Sequence, residues 1–172
     1  MKLTTLTASV LSTLIVTSVV LSSGTAVAQP GTDASYIGAG IAAGVTNGER
    51  NNDDAVFGGN VQGRYAIPEQ PVSLRGAVLF GGDATAIVPT VTYDVPITEK
   101  TNMYIGAGYS FVTDDNHASQ LGNRNAAVTT LGTESEVDKN IVVYGDAKWA
   151  IDAYENSPAD AVSIQAGVGY RF

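Results

Sequence analysis

The segment AVSIQAGVGYRF, residues 161–172, alternates with a period of two. Val162, Ile164, Ala166, Val168, Tyr170 and Phe172 form one set, and Ser163, Gln165, Gly167, Gly169 and Arg171 form the other. Successive side chains of a strand point to opposite faces, so this stretch is a strand with one apolar face and one polar or very small face. A sheet of such strands turns its apolar side toward a protein core or toward lipid, and the rest of the sequence decides between the two.

The same alternation recurs upstream. Residues 35–46, 55–67, 72–80, 85–95, 102–112, 126–137 and 141–151 each read as a strand, which makes eight with the last. Tyr104-Ile105-Gly106-Ala107-Gly108 repeats Tyr36-Ile37-Gly38-Ala39-Gly40. Pro89 falls inside the fourth strand, where it has no N–H for the ladder, so a bulge is expected there. The connections after the first, fifth and seventh strands are long and polar, and those after the second, third, fourth and sixth are short. The lengths suit tilted strands that cross a bilayer, with short turns on one side and longer loops on the other.

Residues 1–28 stand apart. Lys2 is the only charge before Asp33, an apolar run follows, and Ala26-Val27-Ala28 supplies an A-x-A site. This reads as a signal peptide for export, leaving residues 29–172 as a single barrel domain that opens with a short polar lead. The chain has no cysteine, so its stability comes from something other than disulfides, and a closed sheet provides it. Nine basic against 17 acidic residues give a net charge of −8, which disfavours nucleic acid as a partner.

Two patterns favour lipid over a soluble, lipocalin-like barrel. With the first strand running outward, Tyr65, Tyr93, Tyr170 and Phe172 fall near one end of their strands, and Phe57, Phe80, Tyr109, Phe111 and Trp149 near the other. All nine share the apolar face, as two aromatic girdles around an aliphatic band do at a membrane interface. The opposite face carries Arg64, Arg75, Lys148 and Arg171 together with Asp94, Glu134, Glu136 and Asp146. Enclosed charges must be paired, and four cations balance four anions. An eight-stranded barrel has room for side chains and little else, so a plugged, polar, salt-bridged interior is expected. Tyr36, Tyr104 and Tyr144 recur at equivalent inward positions and are expected to stack with Arg64 and Arg171, with the neighbouring glycines making room.

On these residues the chain resembles the small eight-stranded outer-membrane barrels: the transmembrane domain of outer-membrane protein A and the related opacity and attachment proteins. The resemblance rests on the leader, the repeated Y-I-G-A-G openings and the terminal Gly169-Tyr170-Arg171-Phe172. It implies an all-β, antiparallel, up-and-down transmembrane barrel in the outer membrane, in contact with its lipid and with both termini periplasmic. It also implies recognition of the final strand, Val162 to Phe172, by the barrel-assembly machinery; no peptidoglycan-binding domain is expected after the barrel, with which this sequence ends. The implied role is structural or adhesin-like, with an extracellular ligand on the loops; a narrow porin-like channel is the alternative.

No catalytic, cofactor or metal site is expected. His117, the only histidine, has Asp114, Asp115 and Ser119 nearby, which raises a lipid-modifying hydrolase as a further alternative. A Ser-His-Asp set is defined by geometry and not by closeness in a loop, so His117 reads as a solvated loop residue. The outer loops carry Glu49, Asp53, Asp54, Asp83, Asp114, Asp115, Asp152, Glu155 and Asp160 without EF-hand spacing.

Overall fold

The computed structural model describes residues 31–46, 56–114, 117–155 and 157–172. The leader, most of the first long loop with Glu49, Asp53 and Asp54, and Asp115 lie outside the described residues. Eight strands are present: β1 (Tyr36–Gly44), β2 (Phe57–Ala66), β3 (Val72–Gly81), β4 (Ala84–Thr98), β5 (Thr101–Val112), β6 (Ala126–Asp138), β7 (Ile141–Ala150) and β8 (Ala161–Arg171). Each pairs antiparallel with its neighbour in sequence, and β8 closes on β1. The chain is an all-antiparallel, up-and-down closed barrel.

Closure fixes the stagger. From Tyr36, successive partners are Arg64, Arg75, Thr90, Gly108, Val128, Ala150 and Ala161. Ala161 lies two residues beyond Ser163, which opposes Gly44. One circuit therefore climbs about ten residues, and strands so staggered tilt by roughly 35–45° and enclose a lumen that side chains fill. The end where β1 begins and β8 finishes is the terminal end, and the other is the loop end.

The expected bulge at Pro89 is absent. Ile87 opposes Phe111 and Thr90 opposes Gly108, so the register with β5 is the same on both sides of the proline, and on the β3 side Pro89 opposes Gly76. The irregularities lie instead at Pro96/Thr98 and at Glu136/Asp138, near the turns of the terminal end. β4 and β6 run past their expected ends there, to Thr98 and Asp138.

Inward glycines are the slots that receive the tyrosine rings. A Cβ on Gly132 would lie 2.5 Å from Cζ of Tyr104 and 2.6 Å from Cβ of Asp146. One on Gly169 would lie 2.6 Å from Cδ2 of Tyr36, and one on Gly38 would lie 2.9 Å from Cε1 of Tyr144. Outward Gly76, by contrast, has nothing within 4 Å of such an atom.

Gly132→Ala is therefore expected to destabilise the folded barrel by about 1–3 kcal/mol, as overpacking does. Gly76→Ala should fall within about 0.5 kcal/mol of the parent. Urea unfolding in detergent micelles, followed by tryptophan fluorescence, checks both; equal effects would dismiss the slot reading.

Candidate functional site

The two faces are sorted as the alternation requires. Ile164, Leu74 and Val143 on the outer wall are 55, 49 and 37% exposed, whereas Arg75, Asp146 and Lys148 are 7, 5 and 3% exposed. The apolar side of the sheet thus faces out and the charges face in. All nine girdle aromatics are on the exposed face. Tyr65, Tyr93, Tyr170 and Phe172 stand toward the terminal end; Phe57, Phe80, Tyr109, Phe111 and Trp149 stand toward the loop end. Tyr109 and Phe111 pack at 5.1 Å between ring centroids, and the Trp149 indole N–H donates to Asp160 at 2.9 Å.

The lumen is built around four charges from four strands. Arg64 of β2 reaches Asp94 of β4 at 2.9 Å and Glu134 of β6 at 3.2 Å. Arg75 of β3 reaches the same two carboxylates, at 3.1 and 2.9 Å. Arg64 and Arg75 are direct cross-strand partners, an arrangement that like charges disfavour. It holds because each carboxylate is shared by both guanidiniums. Further donors complete the set: Ser73 gives its hydroxyl proton to Asp94, Tyr36 donates to Glu134 at 3.1 Å, and Arg75 Nε donates to Thr92 at 3.0 Å. The guanidinium of Arg75 also lies 3.6 Å over the Tyr104 ring.

A second pair sits nearer the loop end. Lys148 Nζ donates to Asp146 at 2.8 Å, and the Tyr104 hydroxyl donates to the same carboxylate at 2.9 Å. The remaining pair lies at the terminal rim, where Arg171 reaches Glu136 at 2.8 Å and Asp33 at 2.7 Å. The eight expected interior charges therefore divide into a central ring of four, an adjacent pair and a half-exposed rim pair.

The tyrosine layer differs from expectation. Tyr36 and Tyr144 stack at 5.8 Å, but Tyr104 pairs with Arg75, and the arginine over a ring is neither Arg64 nor Arg171. The interior is also not polar throughout. Ala42, Ala77, Leu79, Val88 and Val128 line its loop half, and Leu121, Ala153 and Tyr154 close over them from the connections after β5 and β7. Those connections are knitted together, with Asn123 and Arg124 N–H both donating to the Ala153 carbonyl and the Arg124 side chain paired with Asp152 at 2.9 Å. Leu121, Ala153 and Tyr154 were missed because each sits in a stretch that reads as polar loop, and an apolar residue flanked by turn formers carries no periodicity.

His117 does not form a triad. Its Nδ1 lies 3.2 Å from Asp114 at a half-buried position, while the Ser119 hydroxyl donates to the Gly122 carbonyl at 2.7 Å. Among the described residues no three His, Cys, Asp or Glu side chains are grouped to hold a metal ion.

Solved structures share this architecture. Neisserial surface protein A aligns with a TM-score of 0.59 at 14% identity, over 80% of this chain and 97% of that one. The attachment invasion locus protein Ail of Yersinia pestis aligns with a TM-score of 0.51 at 17% identity, over 80% and 97%. The N-terminal barrel of Pseudomonas aeruginosa OprF aligns with a TM-score of 0.50 at 13% identity, over 80% and 97%. No family model and no curated protein sequence matches the chain.

Removing one member of the ring leaves an uncompensated charge inside the lumen. Glu134→Ala is expected to cost about 3–5 kcal/mol. The charge-balanced double change Arg75→Gln with Glu134→Gln should cost less than the two single changes summed. Urea titrations of the four proteins measure the coupling; strict additivity would contradict a shared ring. In its fold, the chain is a closed eight-stranded up-and-down β-barrel of the architecture seen in the outer-membrane proteins it aligns with.

Proposed function

We propose that this chain is an outer-membrane protein with a structural or surface-interaction role, acting through its loop end and not through its lumen. The observation that carries the reading is the Arg64–Asp94–Arg75–Glu134 ring: four side chains, all at most 7% exposed, that bridge β2, β3, β4 and β6 across the interior. A lumen so filled leaves the outer wall and the loops as the working surfaces. The leader read at residues 1–28 supports export, and the two aromatic girdles support residence in a bilayer. On this reading the wall meets outer-membrane lipid, the terminal end faces the periplasm, the loop end faces outward, and the final strand engages the barrel-assembly machinery.

The loop surface is acidic. Asp83, Asp114, Glu155 and Asp160 lie there, and Arg124 and Asp152 offset one another as a pair. Ail has been solved with the heparin analogue sucrose octasulfate. A polyanion of that kind is repelled by the surface here, so the ligand chemistry that fits is a cationic partner, drawn in by long-range charge.

Two outcomes are expected. Mature protein should fractionate with outer membranes, run with heat-modifiable mobility and give no stable conductance steps in planar bilayers. Defined single-channel steps would favour the channel reading. Protein in zwitterionic vesicles should bind poly-lysine at low salt, lose it as salt rises and ignore heparin; the reverse preference would overturn the ligand assignment.

A further inference from the structure

The five residues ahead of Tyr36 are not all part of the barrel wall. Ser35 is tied to the wall, its carbonyl accepting from Phe172 N–H at 3.1 Å and its hydroxyl from Ala66 N–H at 3.1 Å. Residues 31–34 instead turn into the terminal mouth. Thr32 and Ala34 are 4 and 1% exposed, while the Asp33 side chain between them points out to Arg171. The Thr32 carbonyl accepts from Asn102 Nδ2 at 2.7 Å and from Arg64 Nη1 at 3.3 Å, and the Ala34 carbonyl accepts from the same Arg64 nitrogen at 2.8 Å. The Thr32 hydroxyl donates to Glu136, and Ala34 packs with Tyr36, Val142 and Tyr144. At Gly31 a Cβ would come within 2.7 Å of Pro96 Cβ, so the fit is close.

The β1–β8 pairing already closes the wall from Tyr36 onward. This segment adds nothing to that ladder, yet the lumen meets it with five side chains from five strands: Arg64, Asn102, Glu136, Val142 and Arg171. They recognise a short segment through its carbonyls, a hydroxyl and a carboxylate. We propose that the terminal mouth is a binding site for a short peptide segment, occupied by the chain's own residues 31–34. Seated there, the segment acts as a plug, and it is the plug rather than the wall that keeps the charge ring dry from this end. Of the central ring, Arg64 touches the plug directly and would otherwise present its outer face to solvent. The proposal does not depend on which compartment the terminal end faces.

The chain has no cysteine, so a single one reports cleanly. Val142 is fully buried beneath Ala34, and Val142→Cys is close to isosteric. In micelles, labelling of Val142→Cys by a charged maleimide should be slow in the otherwise intact chain. It should quicken by about 100-fold when residues 31–34 are deleted or when Ala34→Asp drives the segment out, because protection then no longer requires a local opening. The acetylated, amidated peptide Gly-Thr-Asp-Ala-Ser, added to the deletion variant, should restore slow labelling. Equal rates with and without the segment, whether both slow or both fast, overturn the plug; failure of the peptide to protect overturns the binding site. Heat-modifiable mobility verifies that each variant is folded. Should the variants not fold, the intact chain still decides: Thr32→Cys must label far more slowly than Asp33→Cys, and equal rates contradict the proposal.

Discussion

Everything in this molecule depends on β8 hydrogen-bonding to β1. An open eight-stranded sheet has two edges of unpaired N–H and C=O groups, which hydrocarbon cannot satisfy. Closing the ladder removes both edges and imposes two requirements together. The outer wall has to be apolar along its whole belt, and the lumen has to be filled, here by side chains, for which a barrel of this strand number is just wide enough. The alternation of every strand answers both requirements, since one period-two pattern supplies the apolar wall and the filling.

Filling the lumen with charge is workable only because the charges are shared. Arg64 and Arg75 face one another across adjacent strands, and neither carboxylate belongs to one of them alone. The ring therefore acts as one unit, and its parts come from stretches as distant in sequence as Arg64 and Glu134. Around it the packing is graded: tyrosine rings seated in glycine slots, then the Lys148–Asp146 pair, then an aliphatic layer under the loop cap. Such a lumen ties strands together in the manner of a core while being polar where a soluble core is not.

Period-two alternation made the fold readable, because a one-residue slip would move every side chain to the wrong face. Face assignments such as Leu79 inward and Leu74 outward follow from it directly. What alternation could not show is anything built outside the strands. Leu121 and Tyr154 reach the interior from loop conformations, and Thr32 and Ala34 from a lead that reads as polar. Pro89 misled for a related reason: proline forbids a ladder bond only on the side its nitrogen faces, so a strand can carry it without shifting register. The partners within the lumen were likewise beyond reach. Balanced charges announce pairing, but which arginine lies over which tyrosine depends on stagger, and stagger is set by closure around all eight strands.

The central claim is that lipid, and not packed protein, meets the apolar face. Methyl contacts to detergent acyl chains, measured by nuclear Overhauser effects in micelles, test it most directly. Leu74, Val143 and Ile164 should show strong contacts, and Leu79, Val88 and Val142 none. Contacts confined to the second set, or absent from the first, would contradict the account.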